Sequence, residues 1–312
     1  MSAPTTTSTV GRPPARPAPA PAPERKRWWR DPWRKPRLLA AVTIGYLVWS
    51  LLPVLIAVLF SFNDGRSRTV WQGFSMRWYY GDTQRSVWHD DTLQTALFQT
   101  LKLGVLTTLV CVPLGVALAI GLHRWRGRVP STANSMLLLS FVLPETLLAV
   151  ALLLVVTNLV LPFTLGTTSQ VIGLVTFQLS YPAILVRARL ATIGTDLEEA
   201  AMDLGASPMA AQRRVILPML VPAIVASAVL VFADVIDDFV IVRYLSGDSS
   251  TEPTSVKIYN TARAAPTPAL NALATLMLVA AMLTVVAGFL IYRWLSHRAG
   301  DRESIGSFAG ES

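Results

Sequence analysis

Long runs of uncharged, mostly apolar residues recur along the chain between short polar segments. Residues 38–60 and 103–122 lack charge and are long enough for a helix to cross a bilayer. Residues 146–186 also contain no Asp, Glu, Lys or Arg, a length that one straight span cannot place in the membrane, so a turn is expected near Pro162 and Gly166. The sequence therefore predicts an all-α polytopic membrane protein with six transmembrane helices. The expected spans are 38–60, 103–122, 134–158, 171–189, 215–233 continuing towards 244, and 264–292.

Composition agrees with this class. Of 312 residues, 52% are hydrophobic and only 15% are charged, and the mean hydropathy is +0.47. The single cysteine, Cys111, lies inside an apolar run, and the three histidines are widely separated. The sequence therefore predicts neither a disulfide framework nor a metal site.

The chain before the first predicted span is different in character. Residues 1–23 contain seven prolines and no acid, a composition typical of disorder. A basic, Trp-rich block then runs to Arg37, and its position beside a span favours lipid headgroups over nucleic acid. We therefore predict a tail at 1–37, a six-helix domain at 38–297 and a short tail at 298–312.

The distribution of positive charge predicts the orientation. Six spans place both termini on one side, and the segments expected on that side hold nineteen of the 27 Lys and Arg residues. The opposite loops hold seven, and Lys102 lies at a span edge. Because positive loops stay in the cytoplasm, both termini are predicted to be cytoplasmic.

The main polar segment in the second half of the chain follows the fourth predicted span. Asp196 stands where an N-cap would, and Glu198 and Glu199 follow in the first turn, where carboxylates complement the helix dipole. Gly205 is expected to end this helix. A second helix is expected to begin at Pro208, in the favoured first-turn position. The pattern predicts a helix, a glycine turn and another helix, which we interpret as a docking element.

A motif of fixed spacing lies in this segment. Its residues are Glu199, Ala200, Ala201, Gly205, Val215, Leu217 and Pro218. It resembles the EAA loop of ABC-transporter permease subunits, which fits into a cleft on the ATP-hydrolysing subunit; Val215 replaces the usual Ile. An ordinary amphipathic loop helix is the alternative. The resemblance implies coupling roles for Glu198, Glu199, Ala200, Ala201, Asp203, Gly205, Ala206, Leu217 and Pro218.

Four carboxylates fall inside predicted spans, where a charge costs several kcal/mol unless it faces protein, water or a cation. They are Glu145, Asp234, Asp237 and Asp238. On a helix Asp234 and Asp238 share a face, whereas adjacent residues diverge by about 100°. We favour the interpretation that these acids line a substrate path. The alternative is structural: Glu145 satisfies backbone groups freed by Pro144, and the aspartates pair with Arg187, Arg189 or Arg243.

Residues 38–297 also resemble one branch of that superfamily, the second permease subunit of spermidine/putrescine importers. The matching stretches are SFNDGRSRTVWQGFSMRWY from Ser61, VLPE from Val142, VRARL from Val186, DDFVI from Asp237, SVKIYN and PALNAL. The resemblance implies a type I importer permease in a bacterial inner membrane, with a homologous second permease, an ATPase dimer and an external binding protein as partners. The proline-rich tail and Asp234 depart from the pattern. Relatives of similar architecture carry ferric iron, phosphate or sulfate.

A cationic substrate fits the residues of the predicted path. Tyr181 and Phe239 offer aromatic faces for cation–π contact beside the four acids. The external loop from Asn63 to Asp91 holds further aromatic residues, which we interpret as an interfacial belt in preference to a docking surface. An intramembrane aspartyl hydrolase is a remote alternative, since it needs paired carboxylates on facing helices.

No nucleotide site is expected in this chain. None of its four lysines follows a glycine in a phosphate-binding loop. We therefore expect a transport subunit that is not itself an enzyme and binds no cofactor, with ATP and Mg²⁺ on a partner ATPase. The expected surroundings are the lipid bilayer and the partner subunits, without nucleic acid.

Overall fold

The computed structural model describes residues 37–67, 70–124, 128–264 and 267–309. The proline-rich tail and most of the basic Trp-rich block lie outside the described residues. The chain divides into two compact units, residues 1–52 and 53–312. The described part is built from helices and loops, which confirms the all-α prediction.

Twelve α-helices follow one another in the described ranges. The first six are α1 (Arg37–Ser61), α2 (Asp91–Arg124), α3 (Arg128–Val142), α4 (Glu145–Asn158), α5 (Thr167–Gln178) and α6 (Ser180–Ile193). The others are α7 (Asp196–Asp203), α8 (Pro208–Ala211), α9 (Leu217–Asp237), α10 (Val240–Leu245), α11 (Thr254–Ala264) and α12 (Ala269–Ala309). Two π-helical turns lie at Arg77–Gly81 and Gln212–Ile216.

Five helical segments in the described ranges are long and apolar enough to cross a membrane. They are Leu38–Ser61, Asp91–Arg124, Thr167–Ile193, Pro208–Asp237 and Ala269–Trp294. The predicted spans at 38–60, 103–122 and 171–189 fall inside three of these segments, and most of 264–292 falls inside a fourth. The span at 215–233 falls inside the fifth segment, and the third predicted span, at 134–158, is not confirmed.

A break at Pro144 divides that segment into α3 and α4. Proline has no N–H to bond the Ser140 carbonyl, and it disfavours helical geometry at Leu143. The last backbone bond before the break therefore runs from the Leu143 N–H to the Leu139 carbonyl, and α4 begins at Glu145. At 14 residues α4 is about 21 Å long, shorter than the hydrocarbon core of roughly 30 Å.

The fifth predicted span also ends earlier than expected. We expected the helix to continue towards Tyr244, but α9 stops at Asp237, and Asp238 is extended, with ψ 131°. The Asp238 carboxylate instead accepts a bond from the Val242 N–H in the first turn of α10, at 3.2 Å. This side-chain cap offers the backbone an alternative to continuing the helix.

The core of residues 53–312 forms where α2 packs against α6 and α9. Gly115 permits the closest approach of α2 to α6, because a Cβ there would lie 2.5 Å from the Pro182 ring. Leu174, Val231 and Ile241 are among the fully buried side chains of this core. Helix α10, which follows the end of α9, packs against α4 and α5.

The loop before α2 has a core of its own. Trp78 is buried, and its indole N–H donates to the Asn63 carbonyl at 2.7 Å. The Asn63 side chain bonds the backbone at Ser67, Val70 and Gln72. The belt interpretation is therefore wrong for Trp78, which packs with α2 and α12 residues such as Leu93 and Leu273 instead of facing lipid.

Candidate functional site

The first half of the predicted coupling loop is a short helix closed by a glycine. Thr195 occupies the N-cap and Asp196 is the first residue of α7, so the expected N-cap is displaced by one position. The helix ends at Asp203, and the turn that closes it is formed by Gly205, whose φ of +88° is readily adopted only by glycine. The Gly205 N–H bonds the Met202 carbonyl and the Ala206 N–H bonds the Ala201 carbonyl, which is a Schellman motif.

The second half of the loop leads directly into a membrane helix. Ser207 is the N-cap of α8 and accepts from the Ala210 N–H, with Pro208 at the first position as predicted. Because Pro218 has no N–H for the Arg214 carbonyl, the helix widens into a π-helical turn, where the Leu217 N–H bonds Gln212. The predicted coupling residues Leu217 and Pro218 therefore open α9.

One face of the loop is held against the rest of the chain, and the other face is exposed. Glu198 forms an ion pair with Arg124, the last residue of α2. Ala211 and Ile216 are buried against the transmembrane core. The opposite surface exposes apolar side chains, with Leu204 90% exposed. The other exposed apolar residues are Leu197, Met202 and Met209. A short exposed helix with an apolar surface and a fixed base suits a protein interface.

A second site lies where α4 begins and α9 ends. Glu145 and Asp234 both lie close enough to Asp238 for their charges to act on its carboxylate. Tyr181 on α6 lies close to both Glu145 and Asp234. The structure thus brings together four of the six residues predicted for the substrate path. Since like charges at this separation repel, a cation between them is favourable.

The other two predicted residues lie beside this cluster. Asp237 is an exposed last residue of α9. Phe239 packs against the core, and its ring centroid lies 4.9 Å from that of Tyr259. Arg263 in turn stacks on Tyr259, 4.4 Å from the ring centroid. Phe239, Tyr259 and Arg263 also line a cavity of about 740 Å³, together with Arg243. Arg243 and Arg263 therefore line this cavity, and neither is among the groups that act on Asp238.

The structural alternative for the acids receives limited support. The ion pairs found in the described residues are Arg77–Asp82 and Arg124–Glu198, so Asp234, Asp237 and Asp238 form none with Arg187, Arg189 or Arg243. Arg187 donates to Asn134 instead. Glu145 does occupy the first turn of α4, where the helix dipole favours a carboxylate by roughly 0.3–1 kcal/mol.

Sequence reasoning missed Gln178. It is the last residue of α5, fully buried, and its side-chain amide nitrogen donates to the Asp234 carboxylate. Pro182 lacks the N–H that would bond the Gln178 carbonyl, so the helix is interrupted between α5 and α6 at this point. The available signal was a polar amide in an uncharged run, four residues before a proline.

The family assignment follows from comparison with known proteins. Residues 111–301 match the family described as binding-protein-dependent transport system inner membrane component. The chain belongs to this family. It is 33% identical to the spermidine/putrescine transport system permease protein PotC of Haemophilus influenzae, covering 79% of this chain and 93% of that protein. It is also 33% identical to the putrescine transport system permease protein PotI of Escherichia coli K12, covering 87% and 95%.

Solved structures agree on the fold. A bacterial ABC transporter that imports alginate matches with a TM-score of 0.67 at 15% identity, covering 82% of this chain and 95% of that one. The MetNI methionine ABC transporter matches with a TM-score of 0.54 at 20% identity, covering 65% and 93%. These similarities establish the type I importer permease fold, and the protein is a multi-pass inner-membrane permease subunit of an ABC importer.

Family membership also decides against the hydrolase interpretation. Glu145 at the start of α4 and Asp238 after the end of α9 are neighbouring carboxylates from different helices, the kind of pair that an acid hydrolase needs. The permease family match over residues 111–301 identifies transport as the activity instead.

Proposed function

We propose that this permease carries polyamines such as spermidine or putrescine through a path lined by Glu145, Asp234 and Asp238. The observation that carries the proposal is the convergence of these carboxylates from α4 and from the end of α9, without an arginine partner in the described residues. Ammonium groups need carboxylates and aromatic faces to offset the loss of hydration. Tyr181 adjoins the cluster and Phe239 follows it directly.

The relatives support the same substrate class. Two separately named polyamine systems contain permeases that share a third of their residues with this chain over most of its length. A phosphate or sulfate path would need basic groups or helix N-termini at its narrow part, and two or three carboxylates there would repel such anions. Ferric iron remains the chemically closest competitor, since carboxylates also bind hard metal ions.

The proposed assembly contains this chain, a homologous second permease, an ATPase dimer and an extracytoplasmic binding protein. The coupling surface around Leu204 and Met209 would seat in the ATPase, which holds ATP and Mg²⁺. Both termini would then lie in the cytoplasm, on the same side as this loop. The excess of Lys and Arg in the segments on that side supports the orientation.

The test is uptake of labelled spermidine and putrescine by cells that express the complete transporter and lack other polyamine importers. Asp238→Asn and Glu145→Gln keep shape and hydrogen bonding but remove a negative charge. Because the Coulomb attraction to an ammonium is lost, we expect uptake at low substrate concentration to fall by about tenfold or more. Subunit amounts in the membrane are expected to stay near the wild-type level.

Asp237→Asn is a matched control, because Asp237 is adjacent in sequence but is not among the groups acting on Asp238. It is expected to have the smallest effect of the three changes. Ferric iron, phosphate and sulfate are the competing substrates. Uptake of one of these, with neither polyamine transported, would refute the proposed substrate.

A further inference from the structure

The amide of Gln178 is incompletely bonded in the interior of the protein. Its nitrogen donates to Asp234, but its oxygen is buried and has no hydrogen-bond partner in the described structure. A buried acceptor without a donor costs about 1–3 kcal/mol. Such a group in a folded core calls for an explanation in terms of a bound ligand or function.

Another buried glutamine on the same helix shows the contrast. Gln170 is equally buried, and its amide bonds Gln99, Ser246 and the Thr251 carbonyl at 2.8–3.0 Å. Gln170 ties together α2, α5 and the loop after α10. Helix α5 therefore carries one amide whose bonds are satisfied by the protein and one whose oxygen is left free beside a carboxylate.

Asp234, which accepts the bond from Gln178, is a charged residue in a membrane helix, where charged residues are rare. Asp234 lies within the apolar segment Pro208–Asp237, one turn from its end, and is exposed on the surface of this chain. A carboxylate facing lipid at that depth costs several kcal/mol, so this face of α9 requires cover by protein, water or a cation. Asp234 and Gln178 thus present a negative charge and a spare acceptor at the same place.

We infer that Gln178 and Asp234 form an ammonium subsite of their own beside the Glu145–Asp238 pair, and that Gln178 selects donor-rich cations. An ammonium group has three donors and no acceptor. The Gln178 oxygen accepts from one ammonium N–H, while the amide nitrogen stays bonded to Asp234, which supplies the charge. A phosphate or sulfate oxygen offers no donor to that amide oxygen.

The subsite rests on the proposed function and refines it. A substrate with at least two ammonium groups engages Asp234 and Gln178 with one of them and Glu145 and Asp238 with another. The subsite adds a specificity-determining residue, Gln178, that carries no charge.

Two substitutions separate the ligand role from a structural one. Gln178→Met removes both amide atoms at similar length, and Gln178→Glu keeps the acceptor oxygen but loses the donor to Asp234. If the oxygen binds substrate, Gln178→Met raises the KM for putrescine and spermidine about tenfold or more, the loss of one charge-assisted hydrogen bond. Gln178→Glu then keeps the KM within about threefold of wild type.

The measurement is uptake kinetics in proteoliposomes containing the complete transporter, with the quantity of assembled complex measured for each variant. Gln170→Met is the control, and it is expected to lower the amount of complex without changing the KM of what assembles. Asp234→Asn should raise the KM, and adding Gln178→Met to it should raise the KM less than the two single effects multiplied, because both residues serve one subsite.

The outcomes distinguish this inference from the proposed function. If Asp238→Asn impairs polyamine uptake while Gln178→Met leaves the KM unchanged, the subsite is refuted and the polyamine path stands. If Gln178→Glu is at least as damaging as Gln178→Met, the amide acts only as a donor that holds Asp234, and the selective role is refuted. If the wild-type transporter moves no polyamine, both proposals fail.

Discussion

The folded external loop stabilises the ionised form of the Asp82 carboxylate. Its pKa is lowered chiefly by the backbone N–H of Gln84, and also by the Arg77 guanidinium and the Arg85 N–H. The Arg77 nitrogens lie 3.0 and 3.2 Å from one carboxylate oxygen, and the two backbone nitrogens lie 3.1 Å from the other. These bonds fix the turn that follows the π-helical turn at Arg77–Gly81.

The sign of the shift predicts how this loop responds to acid. A lowered folded-state pKa contributes stability above the unfolded value, near pH 4, and that stability is lost as pH falls through the folded pKa. We expect the protection of residues 77–88 against hydrogen exchange, relative to the intrinsic rate, to fall as the pH is lowered below about 4. Asp82→Asn should show faster exchange at neutral pH and a weaker pH response.

Asp64→Asn is the control, because it neutralises another carboxylate of the same loop that takes no part in the Asp82 cluster. An Asp82→Asn protein that keeps the wild-type pH response would contradict the assignment.

Asp82 also shows what the sequence pattern alone does not predict. Charge and position are visible in the sequence, but the four bonds on its carboxylate depend on a loop folded around Trp78.

At the scale of elements, apolar runs located most of the membrane helices but not their interruptions. Helices α1, α2 and α9 each contain a proline, so the presence of Pro144 did not by itself predict the break between α3 and α4. Helix α9 ends where the Asp238 side chain accepts a hydrogen bond from the Val242 N–H. This side-chain bond competes with continuation of the helix, and a hydropathy pattern does not reveal it. Breaks of this kind place Glu145 and Asp238 at helix ends instead of within helices.

The same limit explains the acidic site. Acids inside apolar runs were visible in the sequence, and the structure brings Glu145, Asp234 and Asp238 together. The contribution of Gln178 was not visible, because an uncharged amide has no strong signal and its importance arises from an unbonded oxygen beside Asp234. Partner atoms supplied by distant segments can be recognised only after folding.

The turn between α7 and α8 yields a prediction for coupling. Gly205→Val places a β-branched side chain at φ +88°, which strains the Schellman turn and displaces the exposed Leu204 and Met209. We expect membrane insertion to persist, while substrate-stimulated ATP hydrolysis and uptake fall at least about tenfold. Gly205→Asn, which tolerates this backbone region better, should lose less.

Gly121→Ala is the matched control, since Gly121 lies in a helix and a Cβ there would meet open space. The measurement is ATP hydrolysis by the purified complex together with the amount of ATPase that co-purifies. Normal co-purification and normal stimulation of the Gly205→Val protein would contradict the docking role of the loop.

At the scale of the whole molecule, this chain is expected to supply half of a transport path. Its sequence contains one EAA-like motif, and Asp234 is exposed on a helix that composition assigns to the membrane. A two-fold or pseudo-two-fold assembly would cover that face of α9 with a second permease and close the path between them. In the assembly proposed above, that second permease is a different chain.

Native mass measurement of the complex from cells expressing all subunits tests this arrangement. We expect one copy of this chain, one different permease and two ATPase subunits. Leu230, exposed one turn before Asp234, provides a contact test: Leu230→Cys should cross-link to the other permease, whereas Leu174→Cys, at a buried position, should not. The native Cys111 is buried and contributes little background. A complex with two copies of this chain and no other permease, or cross-links only between identical chains, would refute the heteromer, because the covering face would then belong to the same sequence.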